Sequence, residues 1–467
     1  MARFGKTGRA AGTYIVLAGL QRGISLLILP FVTHAMSPSE FGAASMLAAA
    51  SLLLTAVIAS PLIQVIIRAA ARGEDDGPAL LRIAGTYCYF VVPLTVALIA
   101  GAVSLFHQIL GVAGYIWGIE LLAIGFQPAA GVFALWVAQA RQDLPRFVWL
   151  STTSVLVTAG SKLVLVVLLK LGVLGWVISD LLSAILSGVL ALFLVRLPHA
   201  QVRSNHIGYL LKFTLPLIPH SVAFWALASL SRPAMAVVST LDQVGLLSFG
   251  VGLAQVAGLV LAESNRAALP RYSRETFPSP TSETREPVRW QLIAAFVVPA
   301  VIGSGVAVFG QLLFAEAFWP SFFLTGVLLV GQAALGLYLI PMNYLTQTAG
   351  LPKYSGLASG AGATVILSLI LALGHRYGAV GVAFITAAGY VTMAAVALIL
   401  TWTHKLDIAW GAWRANWPEL TFAAGSLVCS VAALASPLNS SMRWILTGVC
   451  IVLAVGATAL TVRRRRP

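Results

Sequence analysis

Charge is the scarcest commodity in this sequence. Only 9% of its 467 residues are Asp, Glu, Lys or Arg, against about 25% in a soluble globular chain. So little charge cannot clothe the water-facing surface of a 49.1 kDa protein, which excludes a soluble enzyme and a disordered scaffold. Cysteine is nearly absent as well. Cys88, Cys429 and Cys450 each sit in an apolar run without metal spacing, which excludes a disulfide framework and a thiolate metal site. There is no His-Glu-x-x-His run. Gly5-Lys6-Thr7 resembles the end of a phosphate loop, but it lacks the upstream glycine and a preceding strand. It reads as a basic, solvated N-terminus, and direct ATP hydrolysis is not expected. No catalytic residue, metal or cofactor is assigned, and the chain is read as no enzyme.

What the sequence has is apolar length. Hydrophobic residues make up 59% of it, and the mean hydropathy is +0.91. A membrane helix needs about 20 mostly apolar residues, and fourteen such spans can be read: 13–33, 43–67, 82–105, 113–138, 147–169, 173–195, 213–238, 244–262, 291–314, 322–346, 355–374, 379–402, 419–436 and 443–462. The fold class is therefore an all-α integral membrane protein. A Trp-rich stretch from Trp410 to Trp417, suited to the membrane interface, sets the last two spans apart. The longest loop, 263–290, holds Pro278 and Pro280 among alternating Arg and Glu and is too short to fold alone. The first apolar run has the length of a span and no convincing cleavage site, so it is not read as a signal peptide.

Basic residues set the orientation. With the N-terminus inside, 23 of the 29 Lys and Arg fall in inner segments, ending in Arg463 to Arg466. Only Lys170, Arg376 and Arg443 fall outside. This asymmetry predicts a multi-pass protein with both termini cytoplasmic. It also accounts for the net charge of +14 without nucleic acid, because the charge is spread over many segments and forms no single patch.

An internal repeat runs through the loops. Ser39-Glu40-Phe41-Gly42 resembles Asp242-Gln243-Val244-Gly245, Leu144-Pro145-Arg146-Phe147 resembles Leu351-Pro352-Lys353-Tyr354, and Lys170-Leu171-Gly172 resembles Arg376-Tyr377-Gly378, at offsets of 203, 207 and 206. Six spans per half give both halves the same orientation. The expected domains are a six-helix bundle over 1–200, a second over 201–402, and an additional helix pair with a basic tail over 403–467. Parallel repeats of this kind place substrate in a central cavity between the halves.

Five charges stand out away from the span edges: Arg22, Glu120, Lys162, Asp180 and Arg232. Each costs about 2.5–3.5 kcal/mol near the bilayer centre unless it finds a partner or a wet cavity. Lys162 and Asp180 lie eight and ten residues on either side of Lys170. On two helices joined by a short turn they reach similar depth, so they form a candidate intramembrane ion pair. Glu120 could reach Arg22, whereas Arg232 has no carboxylate beside it in sequence. Prolines 30, 61, 93, 128, 216, 219, 233, 299 and 341 lie in or beside spans, and Gly356-x-x-x-Gly360 reads as a close-packing motif.

Tyr14 to Gly42, with Leu29-Pro30 and Met36-Ser37-Pro38-Ser39-Glu40-Phe41-Gly42, resembles the first span of polysaccharide-biosynthesis flippases. Leu211-Lys212-Phe213-Thr214-Leu215-Pro216-Leu217-Ile218-Pro219-His220 is similar to the start of that family's second half. The loop Gln347 to Tyr354 and the Gly378-x-x-Gly381 start of a late span add to the likeness, which covers about residues 10–400. The family is the oligosaccharide-lipid flippases, O-antigen and teichuronic-type exporters among them, in the superfamily that includes multidrug extruders and lipid II flippases.

The resemblance implies transport of a polyprenyl-pyrophosphate-linked oligosaccharide across a bacterial inner membrane by alternating access. It implies as partners that lipid, membrane lipids, and the polymerase and glycosyltransferases of the same assembly. Arg22, Arg232 and Glu120 become the candidate substrate-binding residues, the arginines meeting the pyrophosphate. One departure stands out: family members often carry Asp-Arg where this chain has Ser231-Arg232-Pro233, which puts ion coupling through that carboxylate in doubt. A multidrug antiporter of the same superfamily and a membrane-embedded polymerase are the competing readings.

Overall fold

A computed structural model of the chain describes residues 26–72, 76–275, 282–406, 408, 417–437 and 440–463. Arg22 lies outside them, as do Arg464, Arg465 and Arg466 of the basic tail. The long Leu-, Ala- and Val-rich runs form helices because lipid offers no partner to a backbone N–H or C=O, so each must be satisfied within its own segment. Twelve helices among the described residues are long and apolar enough to cross a membrane. The longest of them contains two spans, and the described part of the first span adds a shorter apolar helix, giving about fourteen.

By its contacts the chain divides into two units, 1–225 and 226–467. The first holds α1 (Leu26–Ala35), α2 (Pro38–Ile58), α3 (Leu62–Arg72), α4 (Gly77–Ser104), α5 (Gly114–Ala140), α6 (Leu144–Leu168), α7 (Gly172–Leu194) and most of α8 (Ser204–Ser229). A capping box opens α2: Ser37 Oγ accepts the Glu40 amide proton at 3.3 Å, and the Glu40 carboxylate accepts that of Ser37 at 2.9 Å. Phe133, Tyr89, Ile66 and Leu150 anchor the apolar core. Pro128 lies inside α5 and is followed by a π-helical stretch, Ala129–Ala134, which fits a helix that accommodates a residue with no N–H by changing its bonding period. Outside the spans, a two-residue ribbon pairs Gln108 with Ala113 and Ile109 with Val112.

The second unit continues with α9 (Ser231–Val238), α10 (Leu241–Arg274), α11 (Ser282–Leu313), α12 (Ser321–Thr348), α13 (Lys353–Thr403), α14 (Trp417–Ala435) and α15 (Ser441–Arg463). The last pair packs on α11 and α12. The 51-residue α13 breaks at Gly378, whose φ of 56° and ψ of −150° no helix contains. This break separates the spans expected at 355–374 and 379–402.

Three expectations change in detail. Span 213–238 is interrupted at Leu230, because Pro233 offers no proton to the carbonyl four residues before it. The 263–290 loop is largely helix: α10 continues to Arg274 and α11 starts at Ser282. Ion pairs Arg266–Glu263 at 3.0 Å and Arg271–Glu286 at 2.8 Å support these polar extensions. Gly356 and Gly360 close no helix contact, since a Cβ on either would meet nothing within 4 Å. Their missing side chains face open space.

Candidate functional site

Within the first unit, α2, α5, α6 and α7 enclose a cavity of about 610 Å³ in the middle of otherwise apolar spans. Three of the five intramembrane charges meet on its wall: Glu120, Lys162 and Asp180. The Lys162 Nζ lies 3.0 Å from Asp180 Oδ1 and 3.7 Å from the centroid of the Trp176 ring. Carboxylate and aromatic face together form the cage that an ammonium needs away from bulk water. Trp176 is held in turn edge-on to Phe41, with centroids 6.3 Å apart. The hairpin between α6 and α7 builds the pair. Lys170 (φ 52°) and Gly172 (φ 54°) reverse the chain there, so residues at similar distances from the turn come level.

Glu120 is 2% exposed on α5. Ser51 donates a hydrogen bond to its carboxyl, while Oε2 has no hydrogen-bond partner among the described residues. Hydroxyls and one amide complete the wall. Thr158 and Ser183 share a 2.6 Å hydrogen bond, and Thr55 donates to Gln127 Oε1 at 3.4 Å. The arrangement offers two carboxylates, one ammonium and a row of hydroxyls to a polar guest inside the membrane.

Arg232 belongs to the second unit, half-buried on α9 beside Tyr390. Its Nε is buried without a hydrogen-bond partner among the described residues. Tyr390 donates to the Leu227 carbonyl at 3.4 Å and is bonded to Gln332, so neighbouring polar groups are already engaged. Arg22, the other expected anion contact, lies outside the described residues, and with it the expected approach of Arg22 to Glu120.

Two buried charges at the ends of the last two spans are not legible in the sequence. Glu419, 1% exposed in its side chain, pairs with Arg289 at 3.2 Å and ties α14 to α11. Glu419 lies in the first turn of α14, at the edge of an apolar run. Arg443 counted as an outer residue, yet it is 2% exposed. Its Nε donates to the Ala307 carbonyl at 3.1 Å, and its guanidinium sits 5.8 Å from the Phe322 ring. A basic residue at the edge of an apolar run looks the same in sequence whether it snorkels or is enclosed.

Bundled apolar helices with a charged cavity inside one bundle define a multi-pass membrane protein. Residues 8–275 match the family described as "Polysaccharide biosynthesis protein", and the chain belongs to that family. Its fold is similar to that of a lipid II flippase, MurJ, in an inward closed conformation. That match has 12% identity and a TM-score of 0.73, covering 97% of this chain and 100% of the other. It is also similar to a multidrug resistance MATE family transporter of the MOP superfamily in an inward-facing conformation, at 13% identity and a TM-score of 0.60. Coverage there is 84% of this chain and 98% of the other. No curated protein sequence matches the chain.

Proposed function

We propose that this protein is a flippase that carries a polyprenyl-pyrophosphate-linked oligosaccharide from the cytoplasmic to the outer leaflet of a bacterial inner membrane. The mechanism is alternating access of two six-helix repeats of equal orientation. The observation that carries the reading is the joint one: membership of a polysaccharide-biosynthesis family and a fold shared end to end with a lipid II flippase. The multidrug transporter leaves more of this chain uncovered, a shortfall comparable in size to the C-terminal segment 403–467.

On this reading Arg22 and Arg232 face the transport path and attract the diphosphate. Apolar walls alone would leave its oxygens unsatisfied, and a guanidinium can hold two of them at once. Glu120 sets the charge of the path, and the Lys162–Asp180 pair holds the first bundle together. The prenyl tail stays in lipid. Export of a soluble cation, as in a multidrug antiporter, is the second reading, favoured by two carboxylates facing one intramembrane cavity.

Deleting the gene and assaying surface glycan separates the two. Loss of glycan that plasmid-borne protein restores supports the flippase. Unchanged glycan with increased sensitivity to cationic dyes supports the antiporter.

A further inference from the structure

A second polar cavity, about 430 Å³, opens where the ends of α5, α6 and α7 come together. It is lined by Arg141, Arg146 and Arg196, with Asp143 as its single carboxylate. That carboxylate is already engaged. Asp143 Oδ1 caps α6 by accepting the Arg146 amide proton at 3.3 Å, and Oδ2 lies 2.6 Å from Arg146 Nη1. Arg141 and Arg196 have no carboxylate partner among the described residues. The site keeps a surplus of two positive charges.

The backbone holds these arginines in place. After Arg141 the chain turns through Gln142 at φ 56°, while the Asp143 and Gln142 amides donate to the Ala138 and Gln139 carbonyls at 2.8 and 3.0 Å. This is the Schellman closure, with glutamine in the left-handed position that glycine usually fills. On the other wall, the buried Tyr89 hydroxyl reaches the Ala191 and Val195 carbonyls, each at 3.1 Å, and fixes the end of α7 just before Arg196. The cavity is not polar throughout. Val137, Leu194 and Phe193 form its apolar side, and Phe193 is 77% exposed on the surface of a membrane-spanning helix.

We infer that this pocket binds a lipid-borne phosphate at the membrane interface. The three guanidiniums would take the phosphate oxygens, and Phe193 would lie along the first methylenes of a chain. Guanidiniums suit this role because their paired N–H groups match two oxygens of one phosphate. Basic pockets between spans at a membrane face recognise anionic headgroups by this chemistry. The phosphate could come from an anionic phospholipid or from a prenyl diphosphate. The inference stands on the pocket alone and does not depend on the flippase reading.

The test uses full-length protein in detergent, with binding of phosphatidylglycerol and of farnesyl diphosphate measured separately by native mass spectrometry. Arg141→Gln/Arg196→Gln is compared with wild type and with Arg274→Gln/Arg285→Gln, which removes as many basic charges elsewhere. The pocket variant should lose at least about tenfold in affinity for one or both lipids, with the control within about twofold. Loss for phosphatidylglycerol alone identifies a phospholipid site, and loss for farnesyl diphosphate alone identifies a carrier-lipid site. Loss for both identifies a site that reads phosphate whatever the chain. If the glutamine variant aggregates, Arg141→Lys/Arg196→Lys keeps the charge, removes the fork and should still weaken binding severalfold. Unchanged affinity for both lipids, or an equal loss in the control, overturns the inference.

Discussion

Gln243 accepts the amide proton of Ala379 at 3.0 Å, closing the start of the second helical half of α13 onto the start of α10. The first unit contains the counterpart. Glu40, in the first turn of α2, lies against Gly172 at the start of α7, where a Cβ would collide with its carboxylate. Both glycines have positive φ, 54° at Gly172 and 56° at Gly378, and each receives a side chain from a helix capped by a hydroxyl residue, Ser37 or Thr240.

Gly378→Ala should therefore destabilise the protein by about 1–3 kcal/mol, since alanine is strained at that φ and its Cβ would stand 3.0 Å from Gln243 Oε1. Gln243→Ala should lower stability by about 1–3 kcal/mol through the orphaned Ala379 amide. Thermal unfolding of purified protein measures both. A Gly378→Ala variant as stable as wild type would show that the break in α13 does not depend on glycine.

These contacts also show how far the sequence could be read. The motifs around Glu40 and Gln243, and those around Gly172 and Gly378, stand out as repeated loop residues at offsets of 203 and 206. That each pair touches is not legible, because a repeat offset carries no distance across the fold. Spans and the level of Lys162 with Asp180 follow from hydropathy and turn arithmetic. The meeting of Glu120 with that pair does not, because it depends on which face of α5 turns toward α6 and α7, and apolar residues surround the whole helix. The burial of Arg443 and Glu419 was hidden for a related reason: span edges look the same whether lipid headgroups or other helices cover them.

The Lys162–Asp180 pair should behave as one unit. Lys162→Gln or Asp180→Asn alone leaves the other charge in a membrane cavity beside Glu120, so each single variant should be less stable than wild type. The double variant should recover part of the loss, with a coupling energy of about 1–3 kcal/mol. A double-mutant cycle on thermal unfolding reads this directly. Strict additivity of the two single effects would mean that the 3.0 Å contact contributes nothing.

Glu419→Ala should loosen the C-terminal pair. It removes the partner of Arg289, whose side chain is only 15% exposed, and breaking a buried pair from one side costs about 3–5 kcal/mol. Limited proteolysis in the segment between α13 and α14 should then be faster. Arg289→Met combined with Glu419→Leu, which removes both charges, should restore resistance. Equal proteolysis of wild type and Glu419→Ala would remove the anchoring role.

A cysteine at Ser440, between α14 and α15, tests the orientation. With fourteen spans and cytoplasmic termini it should react with a membrane-impermeant maleimide added outside intact cells. Cys88 and Cys450 are buried and should stay silent, and Cys429 is replaced by Ala to clear the background. Labelling only after lysis would place the last hairpin on the other side of the membrane.

Arg232 supplies the sharpest test of the transport reading. Its Nε is buried without a partner among the described residues, and its neighbour Tyr390 is already bonded to the Leu227 carbonyl and Gln332. A guanidinium kept in a membrane span without a carboxylate is costly, so retaining it makes sense if an anion meets it during the transport cycle. Arg232→Lys keeps the charge but loses the two-pronged geometry, and should transport less than wild type. Arg232→Gln loses both and should fall further, by about tenfold or more if one charge-assisted contact is lost. Arg22→Gln should follow the same order. The assay is restoration of surface glycan in a deletion strain, with protein levels matched in membranes. Arg232→Leu serves as the folding control: if the arginine is only a burden on the fold, leucine should leave transport intact and raise stability. Full transport by Arg22→Gln and by Arg232→Gln, at normal protein levels, would remove both arginines from the substrate path.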